Sequence, residues 1–208
     1  MDLNSLLLFA VACLAINLIP GPDVIYIVSN TMKGKMISGL KAAMGLGVGY
    51  FVHTLAASLG LSAIILSSAL AFSIVKWLGA AYLVYLGIQA LISMWRGNNK
   101  IVVDDNSKPN GNVFFQGIVV SVLNPKVALF FLSFLPQFID PLAGSTSIQL
   151  LTLGLIFSLL ATLCNVLYAS AGSWVFSRPN SQRYSRALEG ISGVLLIGLA
   201  SKVMTSDR

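Results

Sequence analysis

Charged residues are scarce in this chain of 208 residues. Only 10% of them are Asp, Glu, Lys or Arg, whereas 56% are hydrophobic, and a soluble domain has about 25% charged residues. With a mean hydropathy of +0.84, the composition is typical of an integral membrane protein and excludes an ordinary soluble domain. The 13 basic residues outnumber the seven acidic ones but are scattered between apolar blocks, so we expect no nucleic-acid partner.

Histidine and cysteine are also rare. His53 is the single histidine, and Cys13 and Cys164 lie far apart in apolar blocks without a neighbouring histidine. A transition-metal site needs several such ligands together, so we expect neither a metal nor a cofactor and interpret both cysteines as packing residues. The amino terminus lacks a basic segment and a small-residue cleavage pattern, so we interpret it as a retained helix and not as a signal peptide.

Long apolar blocks are the dominant feature of the chain. Blocks of about 18 residues predict membrane-spanning helices, and six can be delimited, at 3–28, 42–66, 69–95, 113–139, 147–176 and 188–204. The sequence therefore predicts an all-α integral membrane protein with six transmembrane helices in one domain, 1–208. Its predicted parts are a first repeat of three helices at 1–95, a cytoplasmic linker at 96–112 and a second repeat of three at 113–208.

The positions of lysine and arginine predict the orientation in the membrane. Nine of the 13 basic residues fall in the first, third and fifth connections and their borders, and none falls in the second and fourth. Basic connections face the cytoplasm, so both termini are expected to lie outside. Because each half has three spans, the two halves are expected to be inverted relative to each other.

Prolines interrupt the first and fourth blocks at corresponding places. The interrupting residues and their polar neighbours are Pro20, Gly21, Pro22 and Asp23 in the first block and Asn124, Pro125 and Lys126 in the fourth. A single proline commonly only kinks a transmembrane helix, but paired interruptions in equivalent helices point to a transporter's binding site. We therefore predict that helices 1 and 4 are broken at proline.

Three ionisable residues near these interruptions reach the middle of the bilayer. At 1.5 Å per residue, Asp23 lies roughly 15 Å from the cytoplasmic border, Lys126 roughly 20 Å and His53 roughly 18 Å, in a hydrocarbon core about 30 Å thick. Such groups usually face a cavity or one another. Three alternatives stay open: Lys126 extends toward the headgroups, Asp23 only caps the half-helix behind it, and His53 is a neutral interhelical hydrogen-bond donor.

Glycines mark close packing at the same level. Gly45 and Gly49 share a face of the second helix with His53, and Gly79 lies in the third helix. Small residues let another backbone approach, so we interpret these glycines as packing positions near the site. They serve either a homodimer or the packing of one protomer.

Five stretches of the chain resemble the LysE/RhtB family of bacterial amino-acid exporters. They are "NLIPGPD" at 17–23, "GLKAAMGLGVGYFVH" at 39–53, "KWLGAAYLVYLG" at 76–87, "LNPKVALFFLSFLPQF" at 123–138 and "SGVLLIGLA" at 192–200. The resemblance implies efflux of amino acids or close derivatives, driven by proton entry, across the bacterial cytoplasmic membrane. One departure is Ala161, where many relatives have an aspartate, and this weakens any mechanism that needs a second buried acid.

A zwitterionic amino acid has two opposite charges, and each needs a partner of opposite charge in a site from which water is partly excluded. The predicted substrate-binding residues are Asp23, Lys126, Asn124, Pro20, Gly21, Pro22 and Pro125. Lys126 and the half-helix near Pro125 are expected to bind the carboxylate, while Asp23 and the carbonyls freed at 17–19 are expected to bind the ammonium. Proton coupling is assigned to Asp23, where proton and substrate compete, with His53 as the second proton-coupling residue.

Other functions remain as alternatives. A metal-ion exporter would need clustered ligands, and a membrane-embedded enzyme would need a nucleophile–base pair or metal centre, for which no G-x-S-x-G or H-E-x-x-H motif is present. A passive channel fits paired broken helices less well than alternating access does. We therefore expect an exporter without enzymatic activity.

Overall fold

The computed structural model describes residues 3–61, 69–96, 112–140, 143–176 and 181–205. This part of the chain is helical throughout and contains no strand, which confirms the all-α class. Its α-helices are α1 (Leu3–Leu18), α2 (Pro22–Ala56), α3 (Ala69–Arg96), α4 (Val113–Val122), α5 (Pro125–Ser133), α6 (Thr146–Phe176) and α7 (Ser181–Thr205). A π-helical turn, Ala57–Leu61, extends α2, and a 3-10 turn, Leu135–Phe138, follows α5.

The first break separates α1 from α2. Helix α1 ends at Leu18 and α2 begins at Pro22, with Gly21 as its extended N-cap. Proline suits the first position of a helix, because the N–H that it lacks would have had no partner there. The interruption therefore falls at the double proline, as the sequence predicts.

The second break separates α4 from α5. Helix α4 ends at Val122, α5 begins at Pro125, and the axis bends by 47° between them. Asn124 caps α5, since its side-chain oxygen accepts a hydrogen bond from the Lys126 amide at 3.0 Å. This interruption also falls at the predicted proline.

A sharp turn lies inside α2. Gly34 and Lys35 have non-helical dihedral angles, and Lys35 has a φ of 60°. A methyl group on Gly39 would collide with Thr31, although residues eight apart on a continuous helix are about 12 Å apart. The chain therefore folds back here, and α2 consists of two arms, at 22–33 and 36–56.

The helix boundaries agree with most of the apolar blocks. Helix α3 matches the third block and α6 the fifth to within one residue, while α7 begins at Ser181, seven residues before the sixth block. An apolar block marks only the part of a helix that contacts lipid, so a polar turn can precede it. The packing predicted for Gly79 falls on a residue whose surroundings lie outside the described residues.

Length and composition identify few spans by themselves. In the part of the chain that is described, Pro22–Leu61 and Thr146–Ala171 are long and apolar enough to cross a membrane, and the bent pair α4 and α5 supplies a third if it counts as one span. Six spans and the inverted repeats stay predictions.

Glycines set the distance between α2 and α4. A methyl group on Gly45 would collide with the Phe114 carbonyl, and one on Gly49 with the Ser121 side chain. Both glycines thus lie against α4, where only hydrogen fits between the helices.

Helices α3 and α7 pack against each other in a reciprocal way. A methyl group on Gly87 would lie 3.0 Å from the carbonyl oxygen of Gly193, and one on Gly193 would lie 2.9 Å from that of Gly87. The two backbones therefore touch at this point.

Aromatic rings fix α5 after its break. The Phe130 ring lies at a tilt to three other rings, with its centroid 4.8 Å from that of Phe134, 4.9 Å from that of Phe157 in α6 and 6.2 Å from that of Phe9 in α1. These buried contacts join three helices around the two breaks. Cys13 and Cys164 are buried free thiols.

Candidate substrate-binding site

The prolines at the two breaks leave particular carbonyl oxygens without helical partners. In an α-helix the carbonyl of one residue accepts from the N–H four residues later, and proline has no N–H. Pro20 and Pro22 therefore free the carbonyls of Ile16 and Leu18. In the same way Pro125 removes the α-helical donor for the carbonyl of Ser121 in α4, which accepts instead from the Asn124 amide at 3.1 Å.

Lys126 occupies the first break. Its Nζ donates to the carbonyl oxygens of Ile16 at 3.3 Å and Ile19 at 3.2 Å, and it also contacts both Asp23 oxygens, at 3.2 and 3.3 Å. The Asp23 side chain is 1% exposed and that of Lys126 11%. The structure thus brings the predicted acid and base into one buried ion pair, which spans the two broken helices.

Tyr168 of α6 contacts the other freed carbonyl of the first break. Its hydroxyl donates to the carbonyl oxygen of Leu18 at 3.3 Å. Sequence reasoning assigned Tyr168 no role, although a tyrosine inside an apolar block needs a partner for its hydroxyl.

His53 contacts the second break. Its Nε2 lies 3.1 Å from the carbonyl oxygen of Ser121, and since a carbonyl oxygen only accepts, Nε2 carries the hydrogen and donates. Among the residues described, His53 forms no hydrogen bond or ion pair with Asp23 or Lys126. The predicted alternative of an interhelical donor fits this geometry.

Gly21 leaves room for the ion pair. A methyl group at this position would lie 2.8 Å from Asp23 Oδ1 and 3.0 Å from Lys126 Nζ. The φ of −137° is extended backbone that any residue adopts, so it is the close approach of the charged groups that requires glycine here.

Two buried polar groups at the second break are unsatisfied. Asn124 is 2% exposed and uses its oxygen to cap α5, while its Nδ2 has no partner within the described ranges. Ser121 is fully buried, and its hydroxyl has no partner there either. Buried donors are nearly always hydrogen-bonded in folded proteins, so these groups are candidates for contacting a ligand.

A second polar contact joins the two halves of the chain. Asn165 of α6 donates from Nδ2 to the Tyr50 hydroxyl of α2 at 2.9 Å, and both residues are buried. The available sequence signal was a pair of polar residues spaced by three in each block, at 50 and 53 and at 165 and 168.

Glu189 is a second buried acid that sequence reasoning missed. It is the single glutamate of the chain, lies in α7 and is 1% exposed. It lies near the start of the sixth apolar block, and a methyl group on the next residue, Gly190, would collide with the Met94 sulfur of α3.

Comparisons with known proteins agree with the resemblance described above. The family described as LysE type translocator matches residues 14–207. The chain is 29% identical to an uncharacterised membrane protein, YrhP, of Bacillus subtilis over 211 aligned positions, which cover 96% of this chain and 98% of that protein. It is 26% identical over 198 positions to a leucine efflux protein of Salmonella typhimurium, with 95% and 93% of the two chains covered.

A shorter match adds an uncharacterised membrane protein of Vibrio cholerae, 32% identical over 143 positions and 68% of each chain. No solved structure matches the chain. The family match includes both helix breaks and the residues that meet there, and the chain belongs to the LysE type translocator family.

Proposed function

We propose that this protein exports amino acids or close derivatives from the cytoplasm, in exchange for protons, through a site at the two helix breaks. The observation that carries this proposal is the buried ion pair of Asp23 and Lys126, 3.2 Å apart. Replacing a buried ion pair with apolar residues is often neutral or stabilising, and ionisable groups inside membrane helices usually mark a substrate or proton pathway. Relatives named leucine efflux protein support an amino acid as the substrate.

The charges of a zwitterionic amino acid match those of the site. The ammonium would pair with Asp23 and the carbonyl oxygens of Ile16 and Ile19, and the carboxylate with Lys126 and the unsatisfied Nδ2 of Asn124. Pro125 supports the second contact, because it starts the half-helix whose positive end faces this point. Substrate then enters by exchanging partners with an existing ion pair, and the net charge of the site stays the same.

We infer that two inverted repeats of three helices build this site. Asp23 and Lys126 each follow the proline that starts a half-helix, and they are 103 residues apart. The same separation relates Leu18 to Ser121, the two carbonyls that accept side-chain hydrogen bonds. One constant shift therefore relates the first broken helix to the second in several independent features.

A second constant separation in residue number relates the middle helix of one half to the middle helix of the other. Tyr50 and Asn165, which are hydrogen-bonded to each other, are 115 residues apart, and so are His53 and Tyr168. A twofold axis lets equivalent residues meet directly, and the two bonded pairs, Asp23–Lys126 and Tyr50–Asn165, fit such an axis in the membrane plane.

Helix packing supports the same relation. A methyl group on Gly39 would lie 3.1 Å from the Ala169 side chain, and one on Gly154 would collide with Thr54. A shift of 115 residues converts one contact into the other, because it relates Gly39 to Gly154 and Thr54 to Ala169. Six spans, in a bacterial cytoplasmic membrane with both termini outside, follow from two such repeats and the basic connections.

Proton coupling is assigned to Asp23 and His53. A proton on Asp23 would remove the charge that holds an ammonium, so proton and substrate compete for one carboxylate. His53 keeps its Nε2 hydrogen for the Ser121 carbonyl in both protonation states, so its other ring nitrogen would take up the proton. Alternating access follows if the two breaks open on opposite sides in turn.

Counterflow in proteoliposomes tests this function. Purified protein is loaded with each unlabelled amino acid of a panel that includes leucine, and uptake of the labelled compound is followed with and without a pH gradient. We expect counterflow of at least one amino acid, its dependence on the gradient, and loss of both in Asp23→Asn but not in the control Asp140→Asn. If no amino acid of the panel gives counterflow, the proposal is wrong.

A further inference from the structure

An oxygen-lined cradle surrounds the end of the Lys126 side chain. We define this ammonium cradle as both carboxylate oxygens of Asp23 and the carbonyl oxygens of Ile16 and Ile19, all within 3.2 to 3.3 Å of Nζ. Four oxygens around one nitrogen, with a single negative charge among them, suit a primary ammonium, which has three N–H donors and one positive charge.

We propose that the ammonium cradle binds the ammonium group of the substrate and that Lys126 is its internal occupant when no substrate is bound. This inference rests on the proposed function, since it names the group that the site recognises. A substrate ammonium and the Lys126 ammonium have the same donors and the same charge. They cannot share the same oxygens at 3.2 Å, so binding of one displaces the other.

The Lys126 side chain can leave the cradle, and a second polar group lies near it in the chain. Its side chain is 11% exposed, against 1% for Asp23, and a lysine ammonium sits on a flexible four-carbon stem. The unsatisfied Nδ2 of Asn124 lies two residues before it in the chain. A substrate carboxylate placed between these two donors would hold Lys126 in its displaced position.

The exchange restricts the charge of the substrate. Asp23, Lys126 and a zwitterion together have no net charge, whereas a substrate with a second cationic group leaves one positive charge uncompensated away from water. The site therefore takes a primary amine with one carboxylate and an uncharged side chain. It discriminates against dibasic amino acids, and Lys126 is the residue that sets this preference.

Chemical complementation tests the cradle without transport. Lys126→Ala removes the atoms from Cγ to Nζ, which correspond to n-propylammonium. In detergent-solubilised full-length protein, we expect propylammonium to raise the melting temperature of this variant in a saturable way. The concentration required should be at least about tenfold lower than for the parent protein, in which the internal occupant leaves the cradle free for only a small fraction of the time.

Two controls isolate the cradle from a general salt effect. Tetramethylammonium has the same charge but no N–H donors, so it should not produce the saturable rise. Lys126→Ala combined with Asp23→Asn should lose the response to propylammonium. If Lys126→Ala aggregates, propylammonium present throughout purification should restore a monodisperse protein where tetramethylammonium does not. Equal effects of propylammonium and tetramethylammonium, in the melting experiment and in the purification experiment, would overturn the inference.

A second variant tests the charge preference. Lys126→Met retains most of the stem and removes the charge, so the ratio of lysine to leucine counterflow should rise by at least about tenfold. An unchanged ratio contradicts the role of Lys126 in selectivity. Amino-acid counterflow by the parent protein without propylammonium binding to Lys126→Ala would reject the cradle and leave the proposed function intact. Propylammonium binding to Lys126→Ala without any amino-acid counterflow would reject the proposed function and leave the cradle intact.

Discussion

His53 and Tyr168 perform the same task from different halves of the chain. His53 donates to the carbonyl oxygen of Ser121 at 3.1 Å, and Tyr168 donates to that of Leu18 at 3.3 Å. Each carbonyl has lost its helical donor to a proline four residues later. Side chains from the middle helices thus donate to both carbonyls, and that of Ser121 also accepts from the Asn124 amide at 3.1 Å.

Removing the Tyr168 hydroxyl should destabilise the first break. Tyr168→Phe leaves the Leu18 carbonyl without its donor, and an unsatisfied buried acceptor costs about 1–3 kcal/mol. The free energy of unfolding in detergent should fall by this amount. The control is Tyr85→Phe, since Tyr85 is 54% exposed and its hydroxyl only accepts from Gln89. Equal losses for the two variants would contradict the assignment.

His53 can be tested for its two functions separately. His53→Gln keeps an N–H donor near the position of Nε2 but cannot titrate, whereas His53→Leu loses both properties. We expect His53→Gln to retain the parent's stability and to change the pH dependence of export, and His53→Leu to be destabilised as well. A parent-like pH profile in His53→Gln would leave Asp23 as the single proton-coupling residue.

The ion pair should show strong coupling in a double-mutant cycle. Asp23→Asn leaves the Lys126 ammonium buried without a counter-charge, and breaking such a pair costs about 3–5 kcal/mol. The double variant Asp23→Asn, Lys126→Met removes both charges, so much of this loss should be recovered. Thermal or denaturant unfolding of the four proteins measures the coupling. Additive losses would mean that the two charges do not depend on each other.

Gly21 should tolerate no side chain. In Gly21→Ala the methyl group would lie 2.8 Å from Asp23 Oδ1, so the carboxylate must move and counterflow should fall by more than about tenfold, as one lost charged contact predicts. Gly198→Ala is the matched control, because nothing lies within 4 Å of a methyl group there and alanine favours the helix. Normal counterflow in Gly21→Ala would contradict the close approach.

Reporter fusions check the orientation. A fluorescent protein inserted at Lys108, in the predicted cytoplasmic linker, should fluoresce, and alkaline phosphatase fused after Arg208 should be active, because it folds only outside the cytoplasm. The reverse pattern would invert the topology. Activity of the same reporter type at both positions would contradict the predicted number of spans.

The sequence was most informative where a residue's covalent structure decides the local fold. Proline lacks an N–H, so both breaks could be placed from the sequence. Depth could also be predicted by counting residues, and it correctly grouped Asp23 with Lys126. Depth does not specify the direction of a side chain around its helix, however, and for that reason His53, at a similar depth, faces Ser121 of α4 and not the ion pair.

Other features depended on how the helices pack. The carbonyls at 17–19 were assigned to a substrate ammonium, but in the structure Lys126 contacts one of them, that of Ile19, and also the carbonyl of Ile16 outside this range. These contacts depend on the distance between two helices, which no periodicity specifies. The turn at Gly34 and Lys35 was expected only as a basic connection. Glu189 was overlooked because its burial depends on how α7 packs against its neighbours, which the apolar pattern does not specify.

The contact between Gly87 and Gly193 has a mechanical consequence. Because neither residue has a side chain, the side chain of Ile197 in α7 packs against Gly87, and that of Leu91 in α3 packs against Gly193. Each helix thus places a side chain in the space that the other helix leaves open, and this fixes the register of the two helices. The pair is therefore suited to move as one rigid unit, and a bulky residue at either glycine would push the two backbones apart.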